Sequence, residues 1–274
     1  AIWALGFAVR TALTGTTRTL ASRLLRVAAP TTLSFTSPRA WAFTIIGLSH
    51  QLHYYAGDTR TMKLLGDLAD RLYGRFIENA SADWPWLEDV VTYDNAKLPH
   101  ALLLAGEQLE RPEMIEQGLR SLEWLLKLQV DDQGCVSLIG NDGWLHRDGR
   151  RARFDQQPIE AMALVEACVD AARITGDTTW LDHARACLGW FTGSNELGVN
   201  LIDPDTGGCC DGLHMAGMNF NQGAESTLAW VIAGFSLADA TDEQTPAIDP
   251  IRRLSRDGLS VDGLGVAETV RGML

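Results

Sequence analysis

The chain has 274 residues, 46% of them apolar and 21% charged, which fits one globular domain with a generous core and excludes a disordered or fibrous chain. Asp and Glu outnumber Lys and Arg by 35 to 23, and the net charge of −12 argues against nucleic acid or an anionic membrane surface as a partner. No apolar run reaches the roughly 18 residues of a membrane span.

The first predicted elements are a helical hairpin, Ile2 to Val9 with Thr17 to Val27. Four segments then begin with a polar or Pro-containing cap and continue as nearly all-apolar helices: SPRAWAFTIIGL from Ser37, DNAKLPHALLLA from Asp94, QQPIEAMALVEA from Gln156 and NQGAESTLAWVI from Asn221. Helices apolar all round are buried. After each of the first three comes an amphipathic helix, carried by Met62, Leu65, Ala69, Leu72 and Phe76, by Ile115, Leu119, Leu122 and Leu126, and by Leu181, Ala184, Leu188 and Phe191. Two of these outer helices are entered through nearly the same turn, AGDTRTM at Ala56 and TGDTTWL at Thr175. This alternation predicts an all-α fold, an (α/α) toroid of helical hairpins over residues 1–240, in which inner helices line a funnel and outer helices wrap it. Residues 241–274 form a tail with room for one closing helix. A six-hairpin ring needs more chain, so the ring is either partial or closed by that tail.

Three long loops, Asn79 to Tyr93, Val130 to Phe154 and Gly193 to Phe220, all precede inner helices and must gather on one face. They carry what sugar sites use. Trp84, Trp86, Tyr93 and Trp144 offer flat apolar faces, and Glu88, Asp89, Asp94, Asp142, Asp155 and Asp211 offer carboxylates, although any one Trp can equally serve as loop packing. Gln157 precedes Glu160 by three residues and Gln222 precedes Glu225 by three, so each Glu either faces the funnel mouth or closes a capping box. Paired carboxylates across a funnel are the kit of glycoside hydrolysis, and the candidates are Asp94, Glu88, Asp155, Glu160 and Glu225. Asp94, at a helix start, suits the anionic base; Glu160 or Glu225, one turn into apolar helices, suit the acid. Asn95, Gln157, Asp211, His214, Asn221 and Gln222 join the aromatics as substrate-binding candidates.

Histidine offers a different chemistry, acid and base in sugar epimerisation. His50 and His53 share a helix face at i, i+3 and His100 lies on the next inner helix, but with no evident partner carboxylate they read as packed side chains. His146 and His214 sit in site-face loops. The run DPDTGGCCDG from Asp203 lacks the acidic ligands of a calcium loop and reads as a turn, and Cys209 and Cys210 have no His or Cys at zinc spacing, so no metal is expected. There is no GxGxxG or GxxxxGK[ST], so no nucleotide cofactor is expected. Five scattered cysteines without a CxxC pair point to a reducing, cytoplasmic setting, and a start at Ala1 points to an excised domain or a processed N-terminus.

The segments WPWLEDVVTYDNAKLPHALLLAG, FDQQPIEAMALVEAC and NFNQGAESTLAW, in that order, resemble the α/α-toroid domain found C-terminal to retaining GT-B glycosyltransferases in bacteria, which is similar in architecture to six-hairpin glycosidases. The resemblance covers roughly Ser37 to Leu237. It implies a carbohydrate context, an oligosaccharide or glycan ligand and a glycosyltransferase partner domain. Glu88, Asp94, Asp155, Glu160 and Glu225 carry over as motif residues only, and the glycosyltransferase part, with its nucleotide-sugar donor site, is lacking. Three functions compete on these residues: a glycoside hydrolase, placed first for its many carboxylates, a non-catalytic carbohydrate-binding or accessory domain, and a sugar epimerase or isomerase.

Overall fold

The computed structural model describes residues 1–242, so all but two residues of the proposed tail, with its closing helix, lie outside the described residues. Within them run nine helices: α1 (Ile2–Thr11), α2 (Gly15–Ala28), α3 (Pro38–Tyr54), α4 (Thr59–Asn79), α5 (Lys97–Gln108), α6 (Pro112–Gln129), α7 (Pro158–Thr175), α8 (Thr179–Gly189) and α9 (Ala224–Asp242). The odd-numbered helices pack on one another in succession, α1 on α3, α3 on α5, α5 on α7 and α7 on α9, while α2, α4, α6 and α8 each pack outside the inner helix they follow or precede. This is an α/α toroid of four hairpins and a fifth inner helix.

Local chemistry explains the starts and stops. Thr14, Ser37 and Asp58 accept hydrogen bonds from Thr17 N, Ala40 N and Thr61 N, capping α2, α3 and α4. Pro opens α3, α6 and α7, where its missing N–H is not needed. Gly176, at φ 74°, ends α7 in the left-handed region.

Three expectations shift. Helices α5 and α9 begin three residues later than their sequence caps, at Lys97 and Ala224; Asp94 has φ 49° and cannot be a helical residue. On α6 two of the four expected stripe residues, Leu122 and Leu126, are buried, joined by Met114 and Leu125, while Ile115 and Leu119 are only half-buried; Gly118 lets the helix approach Leu103 and Pro99 of α5 closely. The site-face loops also contain strand pairs that no periodicity announced: β1 (Val90–Val91) with β2 (Leu145–His146), and the hairpin of β3 (Gly212–His214) with β4 (Gly217–Asn219). Two- and three-residue strands are too short to alternate visibly.

Helices α1 and α3 cross at Gly6 and Gly47, where a Cβ on Gly6 would collide with the Gly47 backbone. Gly6→Ala is therefore expected to destabilise the protein by about 1–3 kcal/mol through forced separation of the two helices. Thermal unfolding of that variant, beside a Gly15→Ala control at a site with open space around it, checks this.

Candidate active site

The N-terminal ends of α3, α5 and α7 meet through one polar network. Arg39, in the first turn of α3 and buried, donates from Nε to the Tyr93 carbonyl (2.7 Å), from Nη1 to Glu88 Oε2 (2.8 Å), and from Nη2 to Thr92 Oγ1 (2.8 Å) and Asn95 Oδ1 (3.3 Å). Glu160, in the first turn of α7, accepts from the Asp94 N–H, from Asn95 N (3.3 Å) and from Asn95 Nδ2 (3.0 Å). Of the two readings of Glu160, the capping box is absent; its carboxylate clamps the neighbouring repeat instead of its own helix start.

Asp94 is fully buried, and among the described residues neither carboxylate oxygen has a hydrogen-bond partner. Burial pushes its pKa up to about 6, opposed by Lys97 and Arg39. For Glu160, burial and then the Asp94 charge push the value to about 7. Helix-terminus stabilisation of an Asp94 anion, expected from sequence, fails because the helix starts three residues further on and desolvation dominates. The Asp94 charge acts on Glu160 through space, while the Glu160 carboxylate bonds the Asp94 backbone N–H and Asn95 rather than the Asp94 side chain.

Below this pair the inward faces of the inner helices stay polar. Lys97, one turn beyond Asp94, is fully buried, pairs with Glu166 of α7 and lies 4.1 Å from the Trp3 ring centroid. His100, a turn further, meets Asp170 (Nε2···Oδ2 2.7 Å), and Asp170 is also bound by Arg173, which reaches Glu107. His100 therefore has the partner carboxylate that its sequence neighbourhood concealed. Those contacts hold the Asp170 carboxyl well below the usual range. Burial and then Arg10 push His50 down to about 3, and His53 is lowered by the same causes in the same order. His50 stays neutral and suits packing against Phe7.

The accessible part of this face is a cleft of about 440 Å³ between the entries to α7 and α9. Asp155, His214, Glu225, Asn141, Gln157 and Asp211 line it. His214 Nδ1 meets Asp155 Oδ1 at the surface of the cleft. Asp211 is committed to building the cleft: it accepts from Gly223 N (2.8 Å), Ser226 Oγ (2.6 Å) and Asn221 Nδ2, tying down the start of α9, and these bonds lower its pKa against a burial effect that raises it.

Several candidates lie elsewhere. Trp86 is fully buried between Phe76 and Trp124, and Trp84 is buried against Trp124 with Nε1 on the Glu88 carbonyl, so neither presents a face to a sugar. Glu88 is spent on Arg39. Tyr93 is 49% exposed, with the Arg39 guanidinium 5.1 Å from its ring, and Trp144 is half-buried at φ 58°. Gln222 binds Asp203 and Thr206, and Asp203 also accepts from Asp205 N and Thr206 N, which makes the DPDTGG run a turn.

Sequence reasoning overlooked Arg39, Lys97, Glu166 and Asp170, polar residues at three- and four-residue steps inside apolar helices. It also overlooked a repeated triplet. Tyr93-Asp94-Asn95, Phe154-Asp155-Gln156 and Phe220-Asn221-Gln222 each end two residues before an inner helix. In the first two the Asp takes a left-handed φ of 49° and 46°, and the buried amide donates to the carbonyl three residues back, Thr92 O at 2.9 Å and Arg153 O at 2.7 Å.

No family model matches the sequence, and no curated protein is similar to it at a significant level. Among solved structures the chain is similar to a crystal structure of D-mannose isomerase, with a TM-score of 0.57 and 15% identity, over 89% of this chain and 70% of that one. At that identity the likeness concerns the α/α-toroid fold.

Proposed function

We propose that the chain is a carbohydrate-active enzyme, that the sugar binds in the cleft between α7 and α9, and that its chemistry is proton transfer on a reducing sugar, as in aldose–ketose isomerisation. The observation that carries this is the His214–Asp155 pair. A carboxylate on Nδ1 orients the imidazole and leaves Nε2, which has no protein partner among the described residues, to take a proton from carbon. Glu225, on the facing helix start and equally without a partner among the described residues, is the second proton-transfer group; Asn141 and Gln157 hold hydroxyls. The fold shared with D-mannose isomerase supports the substrate class by analogy.

Glycoside hydrolysis is the second reading, favoured by Asp155 and Glu225 standing on two helix entries around one cleft. The Asp94–Glu160 pair does not serve it, since both groups are buried and Glu160 grips the backbone of Asp94 itself, with no room for a sugar between them. The motif resemblance adds a glycosyltransferase as partner to either reading.

Incubating the protein in D₂O with free sugars and oligosaccharides, with mass and NMR detection, separates the readings. Isomerisation places deuterium next to the carbonyl, cleavage adds water, and binding without turnover would assign an accessory domain. His214→Ala and Asp155→Asn are each expected to slow isomerisation by about 100-fold or more with folding intact. Retention of activity in both variants would exclude the pair as the base.

A further inference from the structure

Asp155 and His214 are 59 residues apart in the chain, and a single antiparallel bridge brings them together. Gln156 N donates to Leu213 O (3.0 Å) and Leu213 N donates to Gln156 O (2.9 Å). In an antiparallel pair the residues next to such a bridge stand opposite one another with their side chains close, and here they are Asp155 and His214. The approach needs Gly212, since a Cβ there would collide with the Gln156 carbonyl oxygen.

The bridge leaves Asp155 itself in a left-handed conformation, φ 46°, at the end of a long loop. The Gln156 side chain supplies the missing hold. It is fully buried; Oε1 accepts from Leu138 N (3.1 Å) and Trp190 Nε1 (2.9 Å), and Nε2 donates to Arg153 O (2.7 Å) and Glu196 Oε2 (2.9 Å). Both donors and both acceptor positions of the amide are thus in use. Its partners come from the loop before Asp155, from Trp190 directly after α8 and from Glu196, which is held in turn by Ser137 Oγ (2.7 Å) and Arg153. A buried polar network satisfied in this way is rigid. None of the four bonds reaches Asp155 or His214, so the amide acts on the pair through the backbone on either side of residue 155. In the first triplet Asn95 makes the same bond to Thr92 O, but the Asp before it is buried. In the second, the bridge to β3 puts a histidine opposite the Asp.

We propose that Gln156 is the positioning residue of the His214–Asp155 pair: its amide holds Asp155 against Nδ1 of His214, which keeps the proton of the neutral ring on Nδ1 and Nε2 open as the acceptor. This rests on the proton-transfer reading of the cleft.

Long-range ¹H–¹⁵N NMR of the full chain at about pH 8, where histidine is ordinarily neutral, reads the tautomer with no sugar present. The His214 signals are assigned by their loss in His214→Ala, and the parent is expected to show a protonated Nδ1 and a bare Nε2. Gln156→Glu keeps the side chain's size and its bonds to Leu138 N and Trp190 Nε1 but loses both donors, and should lower the Nδ1–H population. Trp190→Phe removes one bond to Oε1 from outside and should lower it less. With the sugar turned over in the D₂O assay, Gln156→Glu should cut kcat about tenfold or more and move KM by less than about threefold, because the pair is misaligned while the groups that hold hydroxyls stay. A Gln156→Glu protein that unfolds as cooperatively as the parent and keeps its Nδ1–H ring overturns the role of Gln156 and leaves the proton-transfer reading standing. Where that variant does not fold, an unchanged ring in Trp190→Phe does the same. A parent whose His214 proton sits on Nε2 overturns the proton-transfer reading, and the proposal with it.

Discussion

Lys97→Met is expected to destabilise the protein by about 3–5 kcal/mol, the penalty typical of leaving one member of a buried ion pair without the other. Lys97 is fully buried, its ammonium pairs with Glu166, and the Trp3 ring caps it from α1. Without Lys97, Glu166 becomes an uncompensated carboxylate at the centre of the ring, close enough to Asp94 to raise its pKa. The double variant Lys97→Met/Glu166→Gln removes both charges and should recover most of the loss, since replacing a whole buried pair is often nearly neutral. Urea unfolding of the two variants measures the difference. A single variant within about 1 kcal/mol of the parent would mean that water, rather than Lys97, compensates Glu166.

The architecture was legible because its signals are long. Four all-apolar helices and three amphipathic ones repeat at similar spacing, and the caps at Ser37 and Asp58 and the stop at Gly176 follow from local chemistry alone. The site was legible only as a face. Asp155, His214, Glu225 and Gln157 do line one cleft there, but the separate roles of Trp86 and Tyr93, both loop aromatics, depend on packing partners up to tens of residues away, such as Trp124 for the first and Arg39 for the second. Nor does sequence reveal desolvation. Asp94 reads as a helix-start anion until three non-helical residues and complete burial are seen to separate it from that stabilisation.

That burial gives Asp94→Asn an effect whose size depends on pH. Asp and Glu in an unfolded chain titrate near pH 4, whereas in the folded protein Asp94 titrates at about 6 and Glu160 at about 7, chiefly through burial and, for Glu160, next through Asp94 itself. Between these limits the folded state holds protons that the unfolded state has lost, so stability from this pair is fully present below about pH 4 and falls as pH rises through 6 and 7. A shift of some two units on Asp94 corresponds to about 3 kcal/mol at pH 8. Asn at position 94 mimics the protonated acid, tolerates the left-handed backbone, carries no charge to deprotonate, and removes the repulsion that raises Glu160. The variant should therefore match the parent near pH 4 and exceed it by about 2–3 kcal/mol at pH 8, with the gap opening between pH 5 and 7. Chemical denaturation at several pH values reads this directly. Parallel stability curves for the two proteins across that range would mean that the buried pair is not holding the proton.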